Sequence, residues 1–403
     1  VTYDVDRLRA RIPALRGGVA YFDGPGGTQT PDVVADAIAS ALVCGISNRG
    51  QVTQSERNAD ALTNEARDAV ADLVNGDPHG VVFGRSATSL TFEVARTLAQ
   101  DWGPGDEIVV TRLDHDANVR PWVTYAERSG ATIRWAAFDP DSGTLEVETI
   151  AALVNENTRV VAVTGASNLI GTRPDLAAIS EIVHGFEALL YVDGVHLTAH
   201  APIDVEEIGA DFFVCSPYKF LGPHNAMLIA SPALLETLHP DKLRPSTETV
   251  PERFELGTLQ YELLAGVITA IEVIADLVPG DEVTMSRRAR IVRSMQALEE
   301  YEDDLHAHMR AGLESLRGVE LFSNAAKRTP TELFRLKGVD PQEVYRELAN
   351  QGINAPAGSF YAIEAAEHLG LGAAGAVRVG LAPYSSYEEV DRLINCLEEL
   401  WGR

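Results

Sequence analysis

Lysine is nearly absent from this chain. Of 33 basic residues only four are lysines (Lys219, Lys242, Lys327 and Lys337), the other 29 being arginines. Chemistry that requires an amine therefore has few candidates. Cysteine is scarce too: Cys44, Cys215 and Cys396 are odd in number, widely spaced and without a CxxC or a nearby histidine. That pattern suggests neither a disulfide framework nor a zinc site, so no metal is expected, and a reducing cytosol fits it. No apolar run reaches the roughly 18 residues of a membrane span, and the opening VTYDVDRLRARIPALRGG has no long apolar stretch. The expectation is a cytoplasmic protein. Positive charge is also in deficit, with 33 basic against 59 acidic residues and a net charge of −26. Such a surface repels phosphate backbones and anionic lipids, which excludes nucleic acid and membrane as partners. It would hardly attract a free anion either, so an anionic cofactor must be held by local geometry.

With 403 residues, 45% of them apolar, the chain can bury a large core. From about Gly80 to Ser231, short β-rich runs alternate with helical stretches: GVVFG (80–84), EIVVT (107–111), TIRWAAF (132–138), RVVAVTG (159–165), ALLYVDG (188–194), DFFVCS (211–216) and AMLIAS (226–231). This predicts an α/β fold with a mostly parallel seven-stranded sheet covered by helices. Ligands of such sheets bind beyond the carboxyl ends of the strands. Past Gly257 the texture becomes more helical, notably over 280–317, and reads as a smaller α+β domain. The expected division is 1–20 as a segment packing on the small domain, 21–279 as the large domain and 280–403 as the small one. No internal repeat is visible.

Lys219 stands just past an apolar strand, before a Gly-Pro turn and another strand. An arbitrary lysine there is a surface residue, but apolar runs on both sides argue for a partly buried amine of lowered pKa and raised nucleophilicity. Asp193 ends an earlier strand in an Asp-Gly pair that, alone, reads equally well as a turn. Together they suit pyridoxal 5'-phosphate (PLP): an amine forms a Schiff base with its aldehyde, and a carboxylate keeps its pyridine nitrogen protonated.

The chain resembles the class V aminotransferases of PLP fold type I, and within them the cysteine desulfurase-like proteins. The resemblance is carried, in order, by YFDGPGGTQTP (21–31), SNRGQ (47–51), RSATSLTFEVA (85–95), DHDANVRPW (114–122), ASNLIGT (166–172), VDGVH (192–196), SPYKFLGP (216–223), FELGT (254–258) and AVRVGLAPYSSYEEVDRL (376–393). It implies catalytic roles for Lys219, His115 and Asp193, with His115 stacked on the pyridine ring. It implies that Thr88 and Ser216 bind the phosphate, within a cofactor site that also includes Ser86, Ala87, Asn168, His196 and Tyr218. Read locally, Ser86 or Thr88 is as readily a helix cap. Thr258 reaches the phosphate from a partner subunit in the family, which implies a homodimer. Asn168 and Arg378 look like the pair for a substrate carboxylate, an arginine offering a bidentate fork, and Asn48, Arg49 and Tyr361 complete the expected substrate site. Locally, Arg378 is equally a surface arginine on a strand.

Three departures from the family pattern matter. His196 stands where relatives commonly carry Gln to bond the cofactor's phenolic oxygen, and Tyr218 where they usually have His before the lysine. The stretch NAPAGSFYAIEAAEHLG (354–370) lacks the loop cysteine of the desulfurases, Tyr361 falling near its place. The expected function is therefore an aminotransferase or C–S lyase type reaction on a small α-amino acid. Epimerisation, with Tyr361 or Tyr218 as second acid, is the alternative within the family; a PLP-fold partner protein of reduced activity in sulfur metabolism is the non-catalytic one. A dinucleotide oxidoreductase is disfavoured, because no GxGxxG stands at a strand-to-helix turn.

Overall fold

The computed structural model describes residues 3–280, 284–322 and 324–401. Its centre is a seven-stranded sheet in the spatial order Val81–Gly84, Ala226–Ala230, Phe212–Cys215, Leu189–Asp193, Thr158–Thr164, Glu107–Thr111 and Thr132–Ala136. All seven expected strands are present, and only Ala226–Ala230 runs antiparallel to its neighbours. The inner strands are mostly apolar because both faces are covered, whereas the edge strand Thr132–Ala136 exposes Thr132 and Arg134. Val109, Val161 and Val163 enter one core, while Ile108, Val110, Val160 and Ala162 enter another on the opposite face. Each such valine or isoleucine contributes roughly 1.5–3 kcal/mol by leaving water.

The helix Ala87–Leu98 follows the first strand after a sharp entry at Ser86, whose side chain accepts the Ser89 N–H in a reciprocal capping box. At the carboxyl edge the chain turns tightly after Asp193. Gly194 is required there, since a Cβ would stand 2.0 Å from Cζ of Phe213.

A second, four-stranded antiparallel sheet is ordered Ala357–Gly358, Ala376–Gly380, Thr331–Leu336 and Val319–Leu321. The helix Arg287–Ser315 links it to the large sheet's layers, and Tyr387–Trp401 packs beside that helix. The expected helical stretch from 280 and the boundary placed there touch residues 281–283, which lie outside the described residues. The N-terminal segment ties to both parts: Arg9 pairs with Glu389 at 3.0 Å, and Arg7 donates to the Asp276 carbonyl at 3.1 Å. Ala20–Tyr21 then pairs in parallel with Ile353–Asn354. No helix among the described residues is long and apolar enough to cross a membrane.

Candidate active site

Strand ends and the segments that follow them converge on a cavity of about 280 Å³ at the carboxyl edge of the large sheet. Lys219 closes it from below the Gly-Pro turn. The residue is 9% exposed, its Nζ lies 4.8 Å from the centre of the Tyr218 ring, and it donates to the Pro25 carbonyl. Burial, and then the positive charge of Arg378, lower its pKa to about 7, against a smaller opposing pull from Asp193. Much of this amine is uncharged at neutral pH and is a competent nucleophile.

Asp193 is buried, and desolvation raises its pKa to about 6 even though it accepts the Val195 N–H at 3.0 Å. Its second carboxylate oxygen has no hydrogen-bond partner among the described residues. A carboxylate aimed into a cavity with one oxygen unused suits a cationic N–H of a ligand. His115 accepts the Ala117 N–H on Nδ1 at 3.0 Å, which assigns the proton of the neutral ring to Nε2. Burial, then the charges of Lys219 and Arg378, bring its pKa down to about 4. The loop that carries it is pinned by Asp114, a fully buried carboxyl that takes hydrogen bonds from Thr111 and from Asn118 at 2.7 Å. Burial pushes the Asp114 pKa to about 8. This support was not singled out from sequence, although Asp114 opens the DHDAN motif.

Ser86, Ala87, Thr88 and Ser216 line the same cavity, together with Asn168, His196 and Tyr218. The Ser86 hydroxyl is engaged in capping, whereas the first amides of the helix have no intrahelical partner and favour an anion. One nitrogen of His196 is taken up by the hydroxyls of Thr329 and Thr331, at 2.9 and 3.2 Å, so this ring links the cavity wall to the small sheet.

A wider compartment of about 620 Å³ opens outward from Lys219 and His115 and includes Asn168, Arg378 and Tyr361. Arg378 is 3% exposed and donates to the Asn168 carbonyl at 2.8 Å, while its Nε has no partner. The Asn168 side-chain oxygen is likewise buried and unpartnered. Two orphaned polar atoms on residues that line one compartment suit a carboxylate and its neighbouring amine, because leaving them unbonded costs about 1–3 kcal/mol each. The Phe360 ring covers the guanidinium, and the Tyr361 ring stacks on His115 at 5.6 Å between centroids. Sequence reading missed Phe360, Arg85, His224 and Asn225, all of which face these spaces.

Three expected residues are not brought to the cavity of their own chain. Thr258 is exposed and borders a separate cleft beside Arg85 and Ser89. Asn48 is exposed, and the Arg49 guanidinium is held by Asp60 at 2.7 Å and Glu252 at 2.8 Å. Among the described residues no cluster of His, Cys, Asp and Glu is arranged to hold a metal.

The Aminotransferase class-V family matches residues 20–393. An uncharacterized protein of Mycobacterium tuberculosis is 36% identical over 99% of this chain and 100% of its own length. The aminotransferase-like protein FGM3 of Gibberella zeae is 30% identical over 98% of each chain. Among solved structures, the cysteine desulfurase CsdA of Escherichia coli superposes with a TM-score of 0.86 at 25% identity, covering 99% of this chain and 98% of that one. The chain therefore belongs to the class V aminotransferases, a family of PLP-dependent enzymes.

Proposed function

We propose that this protein uses PLP held covalently by the Lys219 amine to act on a small α-amino acid, in an aminotransferase or C–S lyase type reaction that needs no protein thiol. The observation that carries the reading is the position of Lys219, an amine of pKa about 7, on the border of two adjoining spaces, the inner one lined by the buried carboxylate Asp193 and the outer one by the buried Arg378 with an unused donor. When bound, the cofactor supplies an electron sink for the bonds of the substrate α-carbon. Asp193 holds a proton on the ring nitrogen. Lys219 would also move protons to and from the substrate α-carbon and its neighbours. Arg378 takes the carboxylate, the free Asn168 oxygen accepts from the neighbouring amine, and His115, neutral near pH 7, packs against the ring as a proton-exchanging partner. The helix start at Ala87 and Thr88, with Ser216, receives the phosphate.

Thr258 acts from a second copy of the chain in this reading, so the working unit is a homodimer. Asn48 and Arg49 keep a substrate role only through that second copy. The absence of a loop thiol sets the reaction apart from persulfide-forming desulfuration. Cys215 is buried in the core, Cys44 is exposed on the helix side, and Cys396 is half-buried on the last helix. A cytoplasmic location goes with this reading and rests on composition.

The test is borohydride reduction of the purified yellow protein followed by peptide mapping. The label is expected on Lys219, and Lys219→Ala should bind no cofactor covalently. A label on Lys242, Lys327 or Lys337 would overturn the assignment. A screen of amino acids against the cofactor absorbance then identifies the substrate.

A further inference from the structure

One wall of the cavity is left without a role by the function just proposed. Asn225 directly precedes Ala226–Ala230, the strand that runs against its neighbours, so the leading end of that strand lies at the carboxyl edge of all the others. Gly84 pairs with Ala226, which sets Asn225 across from Arg85, one residue before the helix cap Ser86. Asn225 is 4% exposed and lines the cavity. Its backbone N–H is spent on the Pro223 carbonyl at 3.1 Å. Its side-chain oxygen is buried without a partner, and its NH₂ group has none among the described residues.

The NH₂ of this amide is bonded to nothing among the described residues and is not shut away with the oxygen, so it is free to donate to an acceptor in the cavity. The surroundings say what that is. Opposite stands the start of the twelve-residue helix Ala87–Leu98, with free amides and the positive end of its dipole. The Ser216 hydroxyl and the Arg85 side chain face the same space. The Tyr218 and His224 rings stack at 4.9 Å between centroids and 9° between planes, which walls off this side and fixes the turn that leads into Asn225. Apart from the Asn225 oxygen, these groups can donate or carry positive charge, in a chain of net charge −26. An anion is the complement.

We propose that Asn225 is a further anchor of the cofactor's phosphate, its NH₂ donating to a phosphate oxygen across from the helix start. The inference rests on the PLP assignment above.

The experiment titrates apoprotein with PLP and, separately, with pyridoxal, which carries the same ring and aldehyde but no phosphate. Wild type, Asn225→Ala and Asn225→Asp are compared by cofactor absorbance, with inorganic phosphate as competitor. A lost hydrogen bond to a charged group should weaken PLP binding about tenfold or more in Asn225→Ala, while pyridoxal binding changes by less than about twofold. Asn225→Asp, which opposes the phosphate with a negative charge, should be weaker still toward PLP and unchanged toward pyridoxal. Inorganic phosphate should compete less well in both variants. Equal losses for the two ligands, or no loss for either, overturn the proposal and leave Lys219 untouched. Wild-type protein that takes up neither ligand would overturn the cofactor reading as well. Should Asn225→Ala fail to fold, Asn225→Ser fills more of the site with a shorter donor and carries the same comparison.

Discussion

The guanidinium carbon of Arg378 stands 3.8 Å from the centre of the Phe360 ring. Phe360 and Tyr361 both adopt left-handed backbone conformations, with φ of 54° and 59°. Such a conformation costs on the order of 1–3 kcal/mol for a non-glycine residue and persists only where the surroundings enforce it. Here the Asn168 side chain donates to the Phe360 carbonyl at 3.0 Å and the Asp116 N–H to the Tyr361 carbonyl at 2.7 Å. Strain and ring together keep the arginine dry. Phe360→Ala removes the ring and keeps the strain, and should raise KM for an amino-acid substrate several-fold with little change in kcat, because a hydrated guanidinium pairs less strongly with a carboxylate. Phe360→Gly should show the same KM and melt at a higher temperature than Phe360→Ala. An unchanged KM in both would mean that the ring does not screen Arg378.

Lys219 gives a pH dependence of stated sign. Its folded pKa of about 7 lies below the ordinary 10.5. The folded apoprotein therefore releases a proton that the unfolded chain keeps. The resulting penalty is absent above pH 10.5, grows as pH falls and is complete below about 7. Lys219→Met removes the penalty, so its apoprotein should be more stable than wild type by on the order of 4 kcal/mol at pH 7, a gain that shrinks toward pH 10.5. Urea unfolding at several pH values checks this. Cofactor capture by wild-type apoprotein should accelerate as pH rises through about 7, since only the neutral amine attacks an aldehyde.

Asp193→Asn should retain cofactor and lose turnover by far more than tenfold, because an amide cannot hold the ring nitrogen protonated. Single-turnover kinetics at saturating cofactor measure the loss. A decrease well under tenfold, about 1.4 kcal/mol in the barrier, would reduce Asp193 to a turn residue.

With L-cysteine as substrate, sulfide release should come with pyruvate and ammonia rather than with alanine and a protein persulfide. The segment that carries Phe360 and Tyr361 has no thiol, and burial raises the pKa of Cys215 far above its ordinary value. The triple variant Cys44→Ser, Cys215→Ser, Cys396→Ser, assayed beside wild type, decides the matter. Alanine formed by wild type and lost in the variant would restore true desulfuration.

The strands were legible because each is a short apolar run rich in β-branched residues between turn residues, a signal that does not depend on the rest of the chain. The pairing of Lys219 with Asp193 was legible for a related reason: both follow such strands, so both must emerge at one edge of one sheet. Other features exist only in three dimensions. Asn225 follows Gly-Pro-His and reads as turn chemistry, and its lack of partners appears only once Arg85 and the helix start are opposite. Nothing in the pair Phe360–Tyr361 announces positive φ, which aromatic residues rarely adopt. Arg49 looked available for a substrate because its motif says nothing of Asp60 and Glu252, the latter about two hundred residues away in sequence, which claim its charge. The pairing of Ala20–Tyr21 with Ile353–Asn354 is two residues long, too short for a period to show.

His196 belongs to two structures at once. Its ring lines the cavity at the carboxyl edge of the large sheet, and its nitrogen is tied to Thr329 and Thr331 at the entry to the small sheet. It is a shared support. A substitution that removes the ring takes away one side of the cavity wall and one tie to Thr329 and Thr331 in the same stroke, so packing against the small sheet and the shape of the cavity are not independent at this residue.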